Sequence, residues 1–330
     1  MFGSTHTVLA ARARAALRAA AMVGLGAVAP ALASADEMSV PRETWSFAGM
    51  TGHFDKPQLQ RGYRVYKEVC SNCHSLRLMK YRNLAEPGGP GFTEGQVKTL
   101  IKDVTFDDAV DANGNPAKRN AMLADAFKSP FANEQAAKAA NGGSIPPDLS
   151  LMARARSAAA DVPLYIAPLH WLSEIAHGYQ EGGPDYIHAL LTSFKDKPPA
   201  YAMDANGKLT ALADSAASKD SLRCVSINPG ENGQKDECVP LAEGLYYNST
   251  YPGHQIHMPP PLAADGQVDY TDGTKATVDQ YARDVSAFLA WTADPTLDER
   301  KQTGIKMMIY LLILSVLLWF AKRQIWSRLH

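Results

Sequence analysis

The stretch "VCSNCHS", residues 69–75, holds two of the four cysteines of a 330-residue chain, separated by two residues and followed at once by a histidine. Cys70, Cys73 and His74 fit three chemistries: a redox dithiol, half of a zinc site, or the C-x-x-C-H attachment of a c-type haem. Upstream, Leu59, Tyr63, Tyr66 and Cys70 recur at steps of four, three and four, one stripe of a helix opened by Pro57. That helix delivers the first cysteine to its chemistry.

The two ends fix the compartment. Residues 1–35 contain no Asp or Glu, carry Arg12, Arg14 and Arg18, and end in a small-residue pattern at Ala33 and Ala35, which reads as a secretory signal peptide cleaved after Ala35. Residues 305–321, "IKMMIYLLILSVLLWFA", have Lys306 as their only charge. At 1.5 Å per residue they span about 25 Å, enough for one transmembrane helix with snorkelling flanks. Lys322, Arg323 and Arg328 follow without an acidic residue, which places 322–330 in the cytoplasm and residues 36–304 outside. The short presequence favours a bacterial inner membrane, with the folded domain in the periplasm.

Residues 36–304 carry 26 basic and 34 acidic side chains, a net charge of −8. This balance suits a soluble domain that attracts basic partners, and it offers nothing to a nucleic acid. Helical spacing recurs and strand alternation is scarce, so the expected class is mainly α. Further helices are expected over Thr93–Val104, over Pro184–Phe194, and from a Thr277/Gln280 capping box to Pro295, with 195–265 as loops.

An oxidising compartment disfavours zinc thiolates, a second ligand pair is missing, and no βαβ context supports a redox dithiol. Covalent haem attachment remains, with His74 beneath the iron. Cys224 and Cys238 have 13 residues between them in a Gly/Asn/Pro-rich stretch, where export and an even cysteine count favour a disulfide. The partner of His74 across the iron decides between electron transfer and ligand binding. Met258, followed by three prolines in "PGHQIHMPPPL", is the first choice, with His254 and His257 as rivals.

The segments "RGYRVYKEVCSNCHS", "AAKAANGGSIPPDLSLMARAR", "GPDYIHALLTSF", "GLYYNSTYPGHQIHMPPPL" and the terminal "ERKQTGIKMMIYLLILSVLLWFAKRQIWS" resemble the cytochrome c1 family, the haem subunit of quinol:cytochrome c oxidoreductase (bc1) complexes. The resemblance implies a class I cytochrome c-like domain with loop insertions and one C-terminal transmembrane helix. It implies one covalent haem c held by Cys70 and Cys73, ligated by His74 and Met258, with Arg156 at a propionate and Tyr66, Asn141 and Pro147 lining the group. It further implies a non-catalytic redox subunit beside cytochrome b and membrane lipid, passing one electron from a Rieske iron-sulfur protein to a soluble or tethered cytochrome c. Asp103, Asp107, Asp108 and Asp111 form the densest acidic run and the expected contact for that carrier. The other classes open to such a chain are a terminal-oxidase haem subunit and a five-coordinate haem enzyme or sensor. Residues 157–180 and 204–240 look like insertions relative to shorter relatives.

Overall fold

The computed structural model describes residues 40–108, 117–156, 165–166, 168–169, 181–218, 221–230 and 234–327. The chain parts into two units between Glu37 and Met38, and the described residues all lie in the second. The expected signal peptide, Asp111 and most of 157–180 fall outside them.

Helix α1 (Lys56–Glu68) begins where the Asp55 carboxylate accepts from the Gln58 amide, with Pro57 in its first turn. Leu59, Tyr63 and Tyr66 are buried along one face, as their spacing requires, but the α-helix stops at Glu68. Cys70 opens a separate 3₁₀ turn, Cys70–Asn72. A second 3₁₀ turn, Tyr81–Ala85, follows. Helix α2 (Glu94–Leu100) has a reciprocal cap: Gln96 N donates to Thr93 Oγ1 at 3.2 Å and Thr93 N to Gln96 Oε1 at 2.7 Å. It ends four residues before the expected Val104. Strand β1 (Thr105–Asp107) pairs antiparallel with β2 (Lys118–Asn120). Helices α3 (Glu134–Ala140), α4 (Met152–Ala155) and α5 (Gly182–Thr192) follow.

Residues 195–265 are not all loop. Strands β3 (Ala200–Met203), β4 (Leu209–Leu212) and β5 (Leu222–Arg223) form a sheet ordered β4-β3-β5. Strands β6 (Ser226–Asn228) and β7 (Glu237–Val239) form one ribbon, and β8 (Tyr246–Tyr247) and β9 (Gln255–Ile256) another. Strands of two to four residues are too short for alternation to register in sequence, so the mainly α reading holds with small ribbons set into it. The Cys224–Cys238 disulfide, Cα atoms 5.3 Å apart, ties the segment ahead of β6 to β7. In the chain-entropy estimate a loop of this size contributes about 3 kcal/mol.

Helix α6 (Val278–Ala293) starts at Thr277, whose hydroxyl accepts from Gln280 N at 3.2 Å. The expected capping box is only half made, because Gln280 Nε2 turns to Asp284 Oδ1 at 2.9 Å. The fold's centre is the crossing of α1 over α6. A Cβ on Gly62 would meet Asp284 O at 2.1 Å and Phe288 Cβ at 2.6 Å, so only glycine lets the two backbones approach this closely. Phe288 lies with its ring centroid 5.8 Å from both Tyr63 and Tyr66, and Leu59, Tyr281 and Trp291 complete the buried cluster. Beside it, fully buried Asp284 is held by Arg61 at 2.9 Å, which also reaches Asp272 at 2.7 Å.

Helix α7 (Leu297–Trp326) leaves this core after Asp294. Its first turns are fastened to the domain: Asp298 accepts from Phe54 N at 3.3 Å, and Lys301 Nζ donates to the carbonyls of Phe47 at 2.5 Å and Gly52 at 3.3 Å. From Met307 to Phe320 its large apolar side chains are exposed. Among the described residues this is the one helix long and apolar enough to cross a membrane.

Candidate functional site

The 3₁₀ turn after α1 presents the three residues of the motif together. Cys73 N donates to Cys70 O at 3.1 Å and His74 N to the same carbonyl at 2.8 Å, which folds the histidine back over the first cysteine. Neither Cys70 nor Cys73 enters a disulfide, although the other two cysteines do. Cys70 is half-buried, and burial pushes its thiol up to about 12; Cys73 is exposed.

His74 is aimed by its neighbours. Its Nδ1 stands 2.8 Å from the Pro147 carbonyl, which fixes the proton there and leaves Nε2 as the free lone pair. Burial lowers the imidazole below its ordinary range, only partly opposed by the Pro147 carbonyl and Asp148, so the ring is neutral at neutral pH. Tyr66, 2 % exposed, donates its hydroxyl to the His74 carbonyl at 3.1 Å. Burial first, then nearby Cys70, raises the phenol.

The segment carrying Pro147 is held by Asp148, which the sequence reading missed. Its Oδ2 accepts from Ser75 Oγ at 2.7 Å and Arg77 N at 2.9 Å, and its Oδ1 from Ser150 N at 2.9 Å. Burial would raise this carboxyl, but the donors on Arg77, Ser150 and Ser75 outweigh it and hold it below the ordinary range. The signal available in sequence was the turn-forming Asp-Leu-Ser after two prolines. Leu149 N adds a bond to Ser75 O at 2.9 Å, so the strands of chain bearing His74 and Pro147 are stitched side by side.

Asn141 caps α3: its amide N reaches Ala137 O at 3.1 Å and its Nδ2 the same oxygen at 2.7 Å. Arg156 caps α4, is exposed, and forms no ion pair with any described residue, while its charge is felt by buried Tyr186. Met258 is half-buried two residues beyond β9 and ahead of the three prolines. Of its rivals, His257 is exposed, whereas His254 sits at φ 57° in the β8–β9 turn, its ring 6.1 Å from Tyr247. Asp103, Asp107 and Asp108 are exposed at and beside β1.

The residues present fit a covalently attached, iron-centred ring. Two free sulfurs lie on one turn, and an imidazole anchored through Nδ1 offers Nε2. Leu78, Ile145 and Leu151, near His74 and Pro147 in the chain, leave 58 %, 43 % and 48 % of their surface uncovered, the kind of apolar surface a large planar group covers.

Residues 45–329 match the family model described as Cytochrome C1 family. The chain is 41% identical over 315 residues to "Cytochrome b/c1" of Bradyrhizobium diazoefficiens, covering 96% of this chain and 39% of that longer protein. It is 38% identical over 311 residues to "Cytochrome c1" of Rhodospirillum rubrum, covering 94% of this chain and 96% of that one. Similarity extends to "Cytochrome c1, heme protein, mitochondrial" of Saccharomyces cerevisiae, 36% over 290 residues, 88% of this chain and 73% of that protein.

Proposed function

The chain belongs to the cytochrome C1 family, and from that premise we propose a residue-level account of how it relays single electrons. It carries one covalently bound haem c and is an electron-transfer subunit of the bc1 complex. One-electron exchange between ferric and ferrous iron is the chemistry the haem supplies when bound.

Cys70 and Cys73 would supply the attachment sulfurs, and His74 and Met258 would hold the iron. The observation that carries this reading is the His74 Nδ1 contact to the Pro147 carbonyl, since a histidine held through one nitrogen is set to ligate through the other. Tyr66 and Asp148 keep that imidazole oriented from two sides, one through the His74 carbonyl and the other through Ser75. Arg156, exposed at the end of α4, offers its fork to a haem propionate. Pro147 and Asn141 belong to the wall on the histidine side.

With both His74 and Met258 holding the iron, the chemistry supplied would be electron transfer, accepting from a Rieske iron-sulfur protein and donating to a cytochrome c, with cytochrome b as membrane neighbour. The domain stands in the periplasm, because Lys322 and Arg323 follow the apolar helix directly. The class I cytochrome c-like architecture is supported by the crossing of α1 and α6 beside the C-x-x-C-H turn.

Met258→Leu tests the ligand set. The variant keeps its covalent haem, loses the far-red thioether-to-ferric-iron band and falls in reduction potential; an unchanged spectrum would transfer the role to His254 or His257.

A further inference from the structure

Asn248 is a polar side chain with no exposed surface, and it uses its hydrogen-bonding capacity on two elements at once. Its Oδ1 accepts from Ser193 Oγ at 2.9 Å, Thr250 N at 3.0 Å and Tyr251 N at 3.0 Å. Its Nδ2 donates to Leu190 O at 2.8 Å, and its backbone N donates to His254 O at 3.1 Å. Leu190 lies in α5 and Ser193 caps that helix, whereas Thr250, Tyr251 and His254 form the turn between β8 and β9. One amide therefore shapes the hairpin turn and fastens it to the C-terminal end of α5.

We propose that Asn248 is a positioning residue for Met258, holding the segment that carries the thioether against the helical core. The inference rests on the ligand reading of Met258 given above. Met258 follows β9 by two residues and leads into Pro259, Pro260 and Pro261, so its freedom is limited on the C-terminal side by fixed φ angles. On the N-terminal side the ladder is short: Tyr246 pairs with Ile256 and Tyr247 with Gln255. A two-residue ribbon is weak by itself. The strain at His254, the one non-glycine described residue at positive φ, is also stabilised there through its carbonyl's bond to Asn248 N. With the side chain of Asn248 removed, three donors and one carbonyl lose their partner inside the protein, and the hairpin loses its tie to α5.

The test uses the full-length haem protein in detergent, comparing the parent with Asn248→Ala and Asn248→Asp. The aspartate variant is nearly isosteric, keeps an acceptor for Ser193, Thr250 and Tyr251, and has no donor for Leu190 O. Expected for either variant that retains covalent haem and the parent's far-ultraviolet dichroism is a weakened far-red band and carbon monoxide binding to the reduced protein about tenfold faster or more, the change expected if one buried hydrogen bond biases closure. Parent-like band intensity and carbon monoxide kinetics in a folded Asn248→Asp or Asn248→Ala protein overturn the proposal. A parent that itself lacks the band overturns the Met258 assignment instead, so the two failures are separable.

Discussion

At the scale of single residues, the carboxylates that matter are those whose charge the fold has engaged. Asp125 accepts a fork from Arg119 at 2.6 and 2.8 Å and a bond from Met122 N at 2.8 Å. The Arg119 bond first, then the Met122 amide, lowers this carboxyl from 3.8 to about 2. A group depressed in the folded state contributes stability above its unfolded value, so this contribution is complete above 3.8 and disappears as pH falls towards 2. Asp125→Asn should therefore melt below the parent at neutral pH and approach it in acid, as thermal unfolding at several pH values will show; a constant gap would reject the linkage. The C-x-x-C-H pattern of Cys70, Cys73 and His74 is a fixed local spacing and can be read directly from sequence. Asp148 and Asn248 cannot, since their partners lie up to 73 and 58 residues away and nothing in local sequence announces such pairings. Thr277 was legible as a cap while Gln280 was not, because Asp284 competes for its amide from within the same helix.

At the scale of elements, the crossing of α1 and α6 sets the geometry from which the C-x-x-C-H turn departs. Gly62 was not singled out in the sequence, where a glycine inside a helix reads as a weakness; its reason is the Asp284 carbonyl and Phe288 across the interface. Gly62→Ala inserts a methyl where backbone lies 2.1 Å away, and overpacking of this kind costs about 2 kcal/mol. Equilibrium denaturation should show that loss, with a shift in the haem spectrum if α1 tilts; parent-like stability would mean the helices separate without strain. The same close approach recurs at Gly183, whose Cβ would fall 1.6 Å from Ala153 O, bringing α5 onto α4. Long periodic helices were readable from their burial stripes. The ribbons between 200 and 256 were not, because their order comes from the Cys224–Cys238 bond and from side chains such as Asn248 and Asp236, which accepts from Leu209 N at 2.8 Å.

At the scale of the whole molecule, an acidic head continues into a helix of 30 residues whose middle is apolar. At 1.5 Å per residue that helix is about 45 Å long, longer than a hydrocarbon core of about 30 Å, so its first turns belong to the head. Termination after Gly304 should preserve the Asp298 and Lys301 contacts and yield a detergent-independent protein with the parent haem spectrum; aggregation would show that α7 stabilises the head by more than tethering. Asp103, Asp107 and Asp108 are exposed; if they steer a basic carrier, stopped-flow association with a basic cytochrome c should slow as salt rises, and insensitivity to ionic strength would exclude steering by this face. Because Lys301 donates to the Phe47 and Gly52 carbonyls while Asp298 accepts from Phe54 N, the mast is bolted to the cabin at two points. Any tilt of the mast must therefore break those bonds or carry the cabin with it.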